Sequence, residues 1–144
     1  MENPMRTMIV SLGCALLLAA CSSEGAQNVP GNSEDEQAYS GIAEDAVIRL
    51  TGTEPFWGAT IEGGTLTYTT PENMDGTRGA VTRFAGRGGL SFSGELDGQP
   101  LDLAITPAEC SDGMSDRTYP YVATLQLGTE QRQGCAWLEG EPPA

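Results

Sequence analysis

Two segments hold most of the side chains that could do chemistry. The first is Cys110-Ser-Asp-Gly-Met-Ser-Asp-Arg-Thr-Tyr-Pro120. Met114 and Tyr119 would supply contact area, while Asp112, Ser115, Asp116 and Arg117 would supply directed polar contacts. That is the composition of a recognition loop. The plainer reading is a turn that satisfies its own polar groups, because Asp and Ser side chains bond nearby backbone. Arg117 would then pair with Asp112 or Asp116. The second segment is Gly52-Thr-Glu-Pro-Phe-Trp-Gly58. Phe56 and Trp57 are adjacent, so on a strand they point to opposite faces. One would fill the core and the other line a ligand cleft or close a barrel's end; the plainer reading makes both ordinary core and rim. Glu54 could accept backbone N–H bonds or pair with an arginine. The candidate binding residues are Glu54, Trp57, Asp112, Met114, Ser115, Asp116, Arg117 and Tyr119.

Composition narrows the chemistry. The 144 residues include seven arginines, no lysine, no histidine and 20 acids, for a net charge of −13. Without histidine there is no imidazole base, no Ser-His-Asp triad and no imidazole zinc site. Without lysine there is no Schiff base. The charge argues against nucleic acid, which needs a basic face. Carboxylates alone can hydrolyse glycosides, and Glu54, Asp112 and Asp116 could nominally serve, but no spacing specifies them. Asp112 and Asp116 also lack the spacing of a calcium loop. The expectation is a protein with no cofactor and no metal, and not an enzyme.

The start of the chain has the form of an address. Met8–Ala20 is uncharged and mostly apolar over 13 residues, too short to span a bilayer at roughly 20 residues. Arg6 precedes it and small residues follow, as in a secretory signal. Glu2 is out of keeping with a signal, and initiation at Met5 would give a cleaner start. Leu18-Ala19-Ala20-Cys21 resembles a bacterial lipobox, which implies a signal peptide over 1–20 and acylation of Cys21. Two or three acyl chains would anchor the chain essentially permanently, at about 0.8 kcal/mol per buried methylene. Ser22, not Asp, follows the cysteine, which points to the outer membrane, facing the periplasm. Cys14 would leave with the signal and Cys21 carry lipid. Cys110 and Cys135 remain, 25 residues apart, and an oxidising compartment predicts their disulfide, stabilising by about 3 kcal/mol on the loop-entropy account.

The elements that must position the candidate residues lie further on. Residues 21–45 are polar and acidic and read as a flexible tether. From 46 to 139 the pattern becomes short alternating runs punctuated by glycine, with a tail over 140–144. Leu90–Leu96 and Gln99–Ile105 flank Asp97-Gly98, the favoured type I′ hairpin signal. Trp57–Ile61 and Thr65–Tyr68 flank Glu62-Gly63-Gly64. Tyr121–Leu127 and roughly Gln131–Leu138 flank Gly128-Thr129. Ala46–Leu50 and Gly79–Gly86 supply two more strands. The expected fold is all-β, a small antiparallel barrel or sandwich of about eight short strands built from hairpins.

Gly52–Trp57, Cys110–Pro120 and the later Gly134-Cys135-Ala136 together resemble a family of uncharacterised bacterial membrane lipoproteins, over about residues 46–139. The resemblance implies an envelope location and supports the Cys110–Cys135 pairing; it brings no settled activity with it. The expected function is a lipid-anchored, non-enzymatic domain binding a small molecule or an envelope protein. The outline (lipobox, tether, disulfide-stapled barrel) is also similar to lipoproteins that inhibit c-type lysozymes. That alternative would steer an acidic domain to a cationic enzyme and send Ser115 or Arg117 into its cleft.

Overall fold

Period-two alternation builds the strands. Leu90, Phe92 and Leu96 are buried on one strand, and Leu101, Leu103 and Ile105 on the next. Between them Asp97 and Gly98 both take positive φ, 52° and 74°, and Leu96 pairs with Gln99. This is the expected type I′ reversal, whose twist matches that of the strands it joins. The computed structural model describes residues 37–144. The expected signal peptide, Cys21 and the tether up to residue 36 lie outside the described residues.

The eight strands are β1 (Ile48–Gly52), β2 (Gly58–Glu62), β3 (Thr65–Thr70), β4 (Asn73–Ala85), β5 (Leu90–Leu96), β6 (Gln99–Ser111), β7 (Thr118–Leu127) and β8 (Glu130–Leu138). Each pairs antiparallel with the next, and β1 pairs with β8. The sheet is therefore a closed barrel, which removes free edges and decides between barrel and sandwich. An eight-stranded barrel is only wide enough for its own side chains, and Leu50, Leu66, Leu103, Ile105 and Leu125 fill this one.

β4 and β6 are longer than expected, at 13 residues each. β4 serves two neighbours, pairing with β3 through Ala80 and with β5 from Val81 onward. β6 pairs with β5 up to Ile105 and then continues with β7 past a register shift between Pro107 and Cys110. That continuation is an arm, made of the end of β6, residues 112–117 and the start of β7.

The arm folds over the barrel wall, as the burial of Cys135 shows. Leu50 and Ala136 pair and face inward, so by alternation their neighbours Thr51 and Cys135 face outward. Yet Cys135 is only 1% exposed. The arm covers it: Cys110 is bonded to Cys135, with Cα atoms 5.6 Å apart. Tyr119 of the arm packs on Trp137, two residues further along the same outer face, with ring centroids 5.4 Å apart. Beyond β8 the tail lies against the arm, Thr118 and Ala144 exchanging two backbone hydrogen bonds.

Both barrel ends are closed. At one end, residues 37–45 correct the expected boundary of the tether. Ile42 is 2% exposed, the Tyr39 N–H donates to the Gly86 carbonyl at 2.7 Å, and Arg83 donates to the Ile42 carbonyl at 2.8 Å. A buried isoleucine stabilises by about 1.5–3 kcal/mol, so this acidic stretch has one strong apolar reason to dock. At the other end, Trp57 stacks on Tyr68 with centroids 6.0 Å apart and donates from Nε1 to the Gln133 carbonyl at 3.2 Å. Arg132 donates to the Tyr68 hydroxyl, lies over its ring and pairs with Glu130 at 2.6 Å. Two glycines make room for the indole. A Cβ on Gly52 would fall 1.8 Å from Trp57 Nε1, and one on Gly134 2.9 Å from Trp57 Cζ2.

Candidate functional site

Four large apolar side chains are exposed among the described residues: Phe56, Met74, Phe84 and Met114. Three of them, Phe56, Met74 and Met114, line a single groove of about 280 Å³. Its floor is the outer face of β1, β2 and β3 near their Trp57 end, with Thr51, Gly58 and Thr69, and Trp57 itself at the base. Phe56 comes from the loop between β1 and β2, Met74 from the start of β4, and Met114 from the arm. Among the described residues, no ionisable side chain lines it. Two larger concavities, about 330 Å³ by the entering segment and about 450 Å³ between arm and tail, gather no exposed large apolar side chain.

The arm holds Met114 by an internal network centred on Asp112, which is 6% exposed. Its Oδ1 accepts the Met114 and Ser115 backbone N–H groups at 2.9 and 2.8 Å. Its Oδ2 accepts the Ser115 hydroxyl at 2.8 Å and the Tyr119 hydroxyl at 3.2 Å. The Ser115 and Met114 N–H groups, then the Ser115 hydroxyl, hold the Asp112 carboxyl down to about 2, against a smaller opposing effect of burial. Burial first, and then Asp112, raise the Tyr119 phenol. With both its oxygens engaged, Asp112 is a structural acceptor and has no lone pair free for a cation.

The structure sorts the candidate residues into three groups. Trp57 and Met114 come together at the groove, Trp57 buried and Met114 60% exposed. Asp112, Ser115 and Tyr119 form the interior of the arm. Tyr119, expected to offer contact area, is 4% exposed and instead packs on Trp137. Ser115, one of the two alternatives that the lysozyme reading would send into a cleft, uses its hydroxyl on Asp112 and also accepts the Arg117 N–H. Glu54, Asp116 and Arg117 are exposed near the groove without lining it. Glu54 makes no hydrogen bond or ion pair with a described residue. The expected pairing of Arg117 with Asp112 or Asp116 is not made; its side chain lies against the Tyr119 phenol and offsets part of that group's rise.

Of Phe56 and Trp57, the tryptophan is the core residue and Phe56 the exposed one, at 52%. Phe56 and Met74 complete the groove and were not among the candidates. A large apolar residue between turn-formers, as in Asn73-Met74-Asp75-Gly76, is the signal that would have marked Met74. Comparison of the chain with protein-family models, with curated proteins and with solved structures finds no match.

Proposed function

We propose that this chain is an envelope-anchored, non-enzymatic binding domain that docks a protein partner through the groove between Phe56, Met74 and Met114. The carrying observation is the convergence of three of four exposed large apolar side chains on one concavity. Gathered apolar side chains on a surface mark interaction sites, whereas scattered ones do not. The groove, about 280 Å³, lies open on the outer wall and is bordered by exposed side chains, a form that admits a side chain of a docked protein. The filled barrel interior favours the same reading. A groove without ionisable lining supports binding in preference to acid–base catalysis.

The anchor fits this orientation. The described chain enters beside Gly86, at the barrel end opposite the groove. A lipid on Cys21 would attach the chain at that end and leave the groove uncovered by the attachment. Intact mass of the full chain tests the anchor, the expected result being cleavage before Cys21 plus acyl mass; an unprocessed chain overturns it. Photo-crosslinking residues at Phe56 or Met74, installed in living cells, test the groove. The expected adducts are absent when the crosslinker replaces Phe84, and absent when Cys110→Ser and Cys135→Ser free the arm. Equal adducts from Phe84, or none from the groove positions, would end this reading.

A further inference from the structure

We propose that the groove's occupant is a basic segment carrying one apolar side chain. The apolar residue enters between Phe56, Met74 and Met114, and flanking Lys or Arg side chains meet a rim of carboxylates. This deepens the docking reading above and rests on it.

The rim is the observation that selects the partner's charge. Each apolar wall has an exposed acid within two residues along the chain: Glu54 by Phe56, Glu72 and Asp75 by Met74, Asp116 by Met114. None of these four is in an ion pair or side-chain hydrogen bond with a described residue. Nearby bases offset them only in part. Arg49, on the outer face two residues from Thr51, is neutralised by Glu139. Arg117 lies against the Tyr119 phenol, which is neutral and leaves its charge in place. Arg117 and Arg78, the latter across the ladder from Thr67, have no ion pair with a described residue and offset two of the four carboxylates. Acids thus outnumber unpaired bases four to two in the segments that carry the walls of an uncharged apolar slot, on a chain whose net charge is −13. An acidic segment entering the slot would bring like charges together, and a neutral one would leave the rim unanswered. Basic flanks meet the rim and accelerate encounter. The walls suit such a guest, since methionine is unbranched and polarizable and adapts to different apolar side chains.

The test uses the full chain carrying 13C-methyl methionine, with the Met74 and Met114 signals assigned through Met→Leu variants. Three short synthetic peptides are the probes: leucine flanked by lysines, serine flanked by the same lysines, and leucine flanked by glutamates. The lysine–leucine peptide is expected to shift both methyl signals saturably and to bind roughly tenfold tighter than the other two. Its binding should weaken as salt shortens the screening length below about 10 Å. Combining Glu54→Gln, Glu72→Gln, Asp75→Asn and Asp116→Asn should remove both the preference for lysine and the salt dependence. If the glutamate–leucine peptide moves the methyl signals equally well, the groove docks proteins but the basic occupant is wrong. If the lysine–serine peptide binds as tightly as lysine–leucine, the inserted apolar residue is wrong. If no peptide moves either methyl, this inference falls, while the crosslinking result decides the docking reading independently.

Discussion

Gly52→Ala tests the most restrictive contact in the fold. The new Cβ would lie 1.8, 2.2 and 2.3 Å from three atoms of the Trp57 indole. These are ring atoms locked between Gly52, Gly134 and Tyr68, so the ring as a whole must leave. Its departure forfeits the Nε1 bond to Gln133, worth about 1 kcal/mol net, the stack on Tyr68 and the burial of the indole. The ceiling is the cost of removing a buried aromatic, about 3–5 kcal/mol, a large share of the ~5–15 kcal/mol that holds a domain folded. Urea unfolding followed by far-ultraviolet circular dichroism measures it without relying on Trp57 emission. The decisive comparison adds Gly52→Ala to Trp57→Ala. With the indole gone its three close contacts are gone, and most of the alanine's cost should go with them. Gly134→Ala is the contrast. Its Cβ would also lie 2.4 Å from the Thr51 carbonyl oxygen, so its cost should persist when Trp57 is removed. A loss below about 1 kcal/mol for Gly52→Ala, or the same loss with and without Trp57, would refute the idea that this glycine exists to seat the indole.

Two further predictions address the arm and the entering segment. Asp112 has a folded-state pKa of about 2 against an ordinary 3.8, so the unfolded chain binds the proton first. Its contribution is complete above about pH 4 and is lost as pH falls toward 2; Asp112→Asn should flatten this acid limb in a pH series of urea midpoints, and an unchanged limb would remove Asp112 from the account. Ile42→Ala should cost about 2–5 kcal/mol in the same unfolding assay, because Ile42 is 2% exposed; a loss below about 1 kcal/mol would return residues 37–45 to the tether.

Most of the barrel could be read from the sequence, because period-two alternation and two-residue turns are local properties. The alternation in Leu90–Leu96 predicts the bounds that β5 has, and Asp97-Gly98 takes the expected left-handed pair of φ angles. What escaped was set by distant contacts. Ile42 is one apolar residue among acids, and a reading by average composition passes over it, whereas the barrel end needs only one plug. Residues 106–111 alternate poorly and include Pro107, so β6 was expected to end at Ile105. Nothing local shows that this stretch continues into an arm crossing a wall made by β8.

The candidate site was half legible for the same reason. Its pieces stand out in the sequence as dense segments, but their common purpose depends on which face of β8 Cys135 occupies. Ala136 faces inward, fully buried beside Leu50, and Cys135 must then face outward. An outward thiol can bond only to something lying on the wall, which brings Cys110 and the arm there and sets Met114 beside Phe56. On the inner side of the same strand, Gly134 makes room for Trp57, the base of that groove. Gly134-Cys135-Ala136 therefore acts on both faces at once: glycine and alanine size the interior, while cysteine clamps the exterior. Shifting this tripeptide by one residue would turn the thiol into the core and lose the clamp and the space for the indole together.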